Sequence, residues 1–337
     1  MSRNLDLSIA VISNAPVDIV SSIDSGTLAE FGLTKSICTP ISWELAEKLM
    51  LHLDNSGHNS YVSPGGCGVN TTVWLKMLGL RPTLVAPFGL DNFGRLARWS
   101  ISELQIKCLG YNYEGVQSLA FTLITDDKDR TFASVQGQVP TTSLAEILSH
   151  LQGTGYLLID GYFLEHSGAI DKILNHVEQM KANGQKLIFC PNDTSVINRH
   201  STAVSALVKA ADVLLMNENE AEALFPSVSS PEVAKLLSGA GKAGAITDGP
   251  FGANIFNHTE VVYISPAEPP RDLVNTNGAG DAFAAGFVAG ILHGYELTAS
   301  GELGRACAGE ILTCTGARPD LFQVQSAANK FGLILDY

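Results

Sequence analysis

Apolar residues in this chain fall mostly into short unbroken runs and only in places into strict alternation. Ile9–Ile12, Leu84–Phe88, Tyr156–Ile159, Lys186–Cys190, Val213–Met216 and Ala245–Thr247 are such runs, each of about strand length. Runs without alternation suit parallel strands buried on both faces. Helical patterns lie between several of them. Ile170, Ile173, Leu174 and Val177 place a helix over Ile170–Ala182, and another falls at Val204–Ala211. This strand–helix alternation predicts an α/β fold with a doubly wound, mostly parallel sheet. Two stretches break the rhythm. Residues near 14–62 hold turns, polar residues and one helical piece, Trp43–Leu53; residues near 109–137 hold alternating pieces such as Ala120–Thr125, then a turn at Asp126–Asp129. Both read as excursions that meet as a small β lid on a single domain covering residues 1–337.

Composition narrows the class. A length of 337 residues allows two domains or one large domain with an appendage. Hydrophobic residues are 45% and charged residues 16%, the opposite of a disordered chain. The net charge of −13, with no Lys/Arg block, lacks the footprint of a nucleic-acid binder or a polybasic membrane binder. No apolar run approaches the ~18–20 residues of a membrane span, and the first is too short for a signal sequence. Six cysteines are scattered at 38, 67, 108, 190, 307 and 314 without any C-x-x-C. That pattern fits reduced thiols in a cytoplasmic protein.

The strongest local signal is Asn275-Thr276-Asn277-Gly278-Ala279-Gly280-Asp281. An apolar helix follows, with Phe283, Phe287 and Ile291 four apart and Gly286 and Gly290 on a face expected to approach the sheet closely. A glycine-rich turn that opens a buried helix points free N–H groups and the positive dipole end at one spot, a site for a phosphate. By itself Asp281 reads either as a first-turn carboxylate or as a general base beside that phosphate. No Walker A loop, nicotinamide-type G-x-G-x-x-G or protein-kinase signature is present.

The glycine turn resembles the C-terminal signature of the PfkB/ribokinase family of carbohydrate and nucleoside kinases, D-T-x-G-A-G-D. Gly65-Gly66-Cys67-Gly68-Val69-Asn70, then Leu78-Gly79 and Phe88-Gly89-x-Asp91-x-x-Gly94, is similar to the family's N-terminal signature. Further segments are similar to the adenosine kinase-like branch: Asn14-Ala15-Pro16-Val17-Asp18-Ile19, Gly32-Leu33-Thr34-Lys35, Asp160-Gly161-Tyr162, and the closing Gly316-Ala317-Arg318-Pro319. Asn217-Glu218-Asn219-Glu220 matches the family's N-x-x-E, and Thr247-Asp248-Gly249-Pro250-Phe251-Gly252 its T-x-G-x-x-G.

The resemblance implies a ribokinase-like fold and ATP-dependent phosphorylation of a hydroxyl on an adenosine-like nucleoside or a sugar. Asp281 would be the base, and Gly278, Ala279 and Gly280 the anion hole. Asn14, Asp18, Gly65, Gly66 and Asn70 would bind the acceptor. Thr247, Gly249, Gly252, Thr276 and Asn217 would line the nucleotide, with Asn217 and Glu220 holding Mg²⁺ largely through water. Arg130 reads either as a lid residue reaching phosphate or as a solvated hairpin Arg. The family's oligomers range from monomer to dimer.

Three departures qualify this. Asn275 replaces an acid that helps hold a monovalent cation in relatives, and an uncharged amide lowers the expected K⁺ affinity. Gln117-Ser118-Leu119 stands where the branch often has T-G-T, a segment expected near the lid and nucleoside. Cys67-Gly68-Val69 replaces the small S-A-A. The competing reading is a degenerate member that binds a nucleoside or sugar as a sensor; the retained G-A-G-D and N-x-x-E count against it.

Overall fold

A computed structural model describes residues 7–333 apart from 58, 59, 128, 152, 269, 271, 272, 275, 315 and 332. Its main layer is a nine-stranded sheet. From one edge to the other the strands are Val261–Ile264, Ala253–Phe256, Ala243–Thr247, Val213–Asn217, Lys186–Cys190, Tyr156–Asp160, Ser8–Ile12, Arg81–Val85 and Lys107–Cys108. The first two join antiparallel and the rest are parallel.

The unbroken apolar runs have a direct cause. Ile9 and Val11 pack into the core layer on one face of the sheet, and Ala10 and Ile12 into the layer on the other. All four are fully buried, so neither side of the strand is free to be polar. The strand order reverses at Ser8–Ile12, which pairs with Tyr156–Asp160 on one side and Arg81–Val85 on the other. In open α/β sheets such a reversal leaves a crevice at the carboxyl ends of the strands. Asn14, Asp160, Asn217 and Thr247 all lie at those ends.

A second sheet of five strands has the order Cys38–Pro40, Arg130–Val135, Leu119–Ile124, Val17–Ser22 and Tyr61–Pro64. It is drawn from the two stretches that interrupt the α/β rhythm. Alternation here is real: Val17, Ile19, Leu119, Phe121, Leu123, Ala133 and Val135 share one buried face. Helices Ser25–Glu30 and Trp43–Asn55 supply Leu28, Ala46, Leu49 and Leu53 to the same core. Asp24 and Ser42 start those helices by accepting first-turn N–H groups. The opposite face carries Asp18, Ala120 and Ser134 in register across three strands.

The glycine-opened helix is Ala279–Leu292. Its glycines do not approach the sheet as expected. A Cβ on Gly286 would meet the Leu303 carbonyl at 2.7 Å, and one on Gly290 the Ser300 Cα at 2.6 Å. The small face serves contact with helix Leu297–Ile311, because two helix backbones this close leave no room for side chains between them. Among the described residues no helix is long and apolar enough to cross a membrane.

Candidate active site

Gly278 is the N-cap of helix Ala279–Leu292, with φ at 77° and no side chain capping the helix. A Cβ at Gly278 would meet the Ala317 carbonyl oxygen at 2.6 Å, so glycine is demanded by conformation and by space. Gly280 differs: a Cβ there would enter open space within the cleft. The helix start is therefore bare backbone with its positive end facing a cavity. The Ala279 N–H already reaches the Thr276 carbonyl at 3.3 Å, a long bond that ties the turn. Asn275 lies outside the described residues.

Asp281 sits in the first turn at the bottom of this cleft. Helix Cys67–Met77 meets it along one face, with residues 67, 70 and 71 spaced to do so. Asn70 Nδ2 donates to Asp281 Oδ2 at 2.9 Å, and Thr71 Oγ1 to the Asp281 carbonyl at 3.3 Å. The Cys67 thiol is hydrogen-bonded to the same carboxyl. Burial pushes Asp281 up to about 7, outweighing these donors, with Asp160 and Asp18 adding to the rise. The Cys67 thiol is itself held well above its ordinary range by burial beside acids, so it stays a neutral donor.

Asp18 lies on the small sheet, close enough to Asp281 to act on its charge. Its carboxylate has no hydrogen-bond partner among the described residues, and burial raises it to about 7 against the pull of Arg318. A Cβ on Gly65 would overlap all three carboxyl atoms of Asp18, and one on Gly66, at φ 99°, would meet the Asn14 carbonyl at 2.6 Å. The glycine pair thus lets Asp18 lie against bare backbone. Arg318 ties the group together: its Nε donates to Asn70 Oδ1 at 3.2 Å, Nη2 to the Gly65 carbonyl at 3.2 Å and Nη1 to Ser100 Oγ at 2.9 Å. Burial lowers Arg318 to about 10, with Asp18 opposing the fall.

Asn14 is held by its protein neighbours. It is buried, its Oδ1 accepts from the Ala15 N–H at 3.1 Å, and its Nδ2 donates to Gln136 Oε1 at 2.7 Å. One N–H of its amide is left uncommitted by these two bonds. Gln117 is fully buried as well. Its Oε1 accepts from the Gly89 N–H and its Nε2 donates to the Ala15 carbonyl, both at 2.6 Å. Gln117 thus ties the short strand Pro87–Gly89 to Ala15, where the chain crosses from the main sheet to the small one.

On the other side of the cleft, Asn217 and Glu220 form a capping box at helix Glu218–Leu224. Asn217 Nδ2 donates to Glu220 Oε1 at 2.6 Å and the Asn217 N–H to Oε2 at 3.1 Å. Both nevertheless border the same cavity as Asp281 and Thr247. Burial raises Glu220 to about 7, with the Asn217 bond opposing it. Thr247 ends its strand in register with Asn217. Gly249 and Gly252 follow with φ of 48° and 90° around a short 3₁₀ turn. Arg130, on the small sheet, donates to Thr276 Oγ1 at 3.2 Å and Asn277 Oδ1 at 3.3 Å. The solvated alternative for Arg130 gives way to contact with the glycine turn.

Sequence reasoning assigned no site role to Arg318, to the Cys67 thiol or to Asp160. Asp160 is buried and accepts from Ser13 Oγ at 2.7 Å and the Gly68 N–H at 3.2 Å, fixing the start of the Cys67 helix. The closing Gly-Ala-Arg-Pro was the available signal for Arg318.

A glycine-opened helix facing a strand-end crevice, with a carboxylate at its mouth, marks an α/β protein built to handle phosphate. The model of the pfkB family carbohydrate kinases matches residues 45–323, and the chain belongs to that family. An ATP-dependent 6-phosphofructokinase from Thermoanaerobacterium thermosaccharolyticum is 24% identical over 279 residues, covering 80% of this chain and 85% of that one. A probable sugar kinase from Rhizobium etli superposes with a TM-score of 0.85 at 23% identity, covering 98% and 100% of the two chains. The adenosine kinase from Sinorhizobium meliloti gives 0.83 at 23% identity, covering 97% and 99%. These likenesses identify the fold as ribokinase-like.

Proposed function

We propose that this kinase transfers the γ-phosphoryl group of ATP to a hydroxyl of a nucleoside, adenosine-like, or of a sugar, with Asp281 as general base. The observation that carries the reading is the placement of one held, half-buried carboxylate at the mouth of an uncapped helix. A base poised near neutral pH accepts the hydroxyl proton as the oxygen attacks, and Asn70 keeps its carboxyl oriented. The N–H groups around Gly278, Ala279 and Gly280 stabilise charge gathering on the transferring group. Arg130 reaches the same turn from the small sheet, which acts as the lid. Its guanidinium adds positive charge where phosphate oxygens would lie.

Asp18, whose carboxylate has no hydrogen-bond partner among the described residues, accepts from acceptor hydroxyls, and Gly65 and Gly66 let the acceptor lie close to the backbone. Thr247, Gly249, Gly252 and Thr276 border the nucleotide. Asn217 and Glu220 bring one amide and one carboxyl to the cavity. So few protein donors suit Mg²⁺, which keeps several waters and leans on substrate phosphates. When bound, Mg²⁺ supplies charge neutralisation between the phosphates; Asn217 and Glu220 would hold it through water. The test is ADP release from ATP across nucleosides and sugars. Turnover lost in Asp281→Asn supports the assignment, and unchanged turnover refutes it.

A further inference from the structure

The small sheet carries one polar group whose orientation the protein fixes completely. The Ala15 N–H donates to Asn14 Oδ1 at 3.1 Å, so the Asn14 amide must present its NH₂ outward. That NH₂ meets Gln136 at 2.7 Å, so Gln136 must answer with its oxygen. Ser118 Oγ, which accepts from the Gly137 N–H at 2.9 Å, is 3.3 Å from the same oxygen and donates to it. Two backbone-anchored donors, Asn14 and Ser118, therefore hold Gln136 Oε1 inward. Its Nε2 has no partner among the described residues and is not among their buried unpaired atoms. Two N–H donors of Gln136 are left unused, two residues beyond Ser134, which is in register with Ala120 and Asp18.

We infer that Gln136 is a specificity-determining residue, donating from Nε2 to an unprotonated ring nitrogen of a heterocycle borne on the acceptor furanose. The inference rests on the kinase reading above and narrows its acceptor. Register gives the scale. Asp18 pairs with Ala120, and Ala120 with Ser134, two strands away. At about 4.8 Å per strand and about 3.3 Å per residue, Gln136 lies roughly 12 Å from Asp18 between Cα atoms. A furanose whose hydroxyls sit on Asp18 does not itself span to Gln136; a ring attached to it does. A donor locked in this way rewards an acceptor atom and is left unpaired by a C–H in its place, which is how a site of this kind discriminates.

The test uses the full-length chain with ATP and Mg²⁺. Adenosine, inosine and ribose are compared first, then the 1-, 3- and 7-deaza analogues of the faster nucleoside. In each analogue one ring nitrogen becomes C–H. The variant is Gln136→Glu, which still accepts from Asn14 and Ser118 but offers no NH₂ to the cleft. We expect a nucleoside to be preferred over ribose, and one deaza analogue to lose about tenfold in kcat/KM on the native enzyme. In Gln136→Glu that difference should vanish while the melting temperature holds. A merely structural Gln136 would leave the deaza difference in place in Gln136→Glu. Ribose turned over as well as the nucleosides, equal rates for all deaza analogues, or a difference that persists in Gln136→Glu would each overturn the inference while leaving the kinase reading intact. Absence of phosphoryl transfer to every acceptor would instead remove the kinase reading, and this inference with it.

Discussion

Gly65→Ala separates the fold of this enzyme from its chemistry. Gly65 is buried, its N–H donates to the Pro16 carbonyl at 2.9 Å, and its φ lies outside the left-handed region, so alanine fits the backbone. The added methyl, however, would overlap Cγ and both oxygens of Asp18. Carbon atoms pack at about 3.5–4.0 Å, so the carboxylate must withdraw by about 1 Å or more. Asp18 can do so, because no hydrogen bond holds it among the described residues and its neighbour Arg318 is anchored on Asn70, Gly65 and Ser100. The strain is thus relieved by moving a binding group, and the core is spared. A displacement of this size at a positioning group costs on the order of 100-fold. Coupled ADP-release kinetics should show kcat/KM for the acceptor down by about that factor, chiefly through KM. Thermal unfolding should shift by no more than a few degrees. An acceptor KM equal to the native value would refute the placement of Asp18 at the acceptor. A collapse of the melting temperature would refute the claim that Asp18 is free to move.

Other consequences can be checked alongside. Asp281→Asn should lower kcat by about 10²–10⁴-fold, and native kcat/KM should fall as pH drops through about 7, where the buried Asp281 and Asp18 take up protons. The same raised carboxyl has a stability sign. The folded protein keeps the Asp281 proton up to about pH 7 and the unfolded chain loses it near 4, so its ionisation destabilises the fold as pH rises through that window. The melting temperature of Asp281→Asn relative to the native protein should therefore climb between pH 5 and 8; a constant difference would contradict the burial argument. Arg130→Ala should cut kcat by about 100-fold with little change in acceptor KM, read from the same ADP assay. Gly290→Val should destabilise by about 1–3 kcal/mol or more in denaturant unfolding, because its side chain would enter the Ser300 backbone.

Features that need only neighbours in the chain are legible in the sequence. The runs at Lys186–Cys190 and Val213–Met216 declare strands buried on both faces, since burial on both sides removes alternation. The glycine turn announces a bare helix start because three residues set its conformation, and Asn217 with Glu220 closes a capping box within four. Family resemblance supplied the pairing of the two glycine motifs, the choice of the base over the cap for Asp281, and, through Asn14–Ile19, Asp18. What the tertiary structure alone decided depends on groups far apart in sequence. Arg318 meets Asn70 across 248 positions, and Asn70 meets Asp281 across 211. The side chain of Asn14, read as an acceptor contact, is also held by Ala15 and Gln136, and Gln117 turns inward to hold Gly89 and Ala15. Residue type fixes how many hydrogen bonds a group can make, but only packing fixes which are already taken. The raised carboxyls follow the same rule: an aspartate's ordinary affinity for protons is a property of the residue, and its shift to about 7 at Asp281 and Asp18 belongs to the water that the folded cleft excludes.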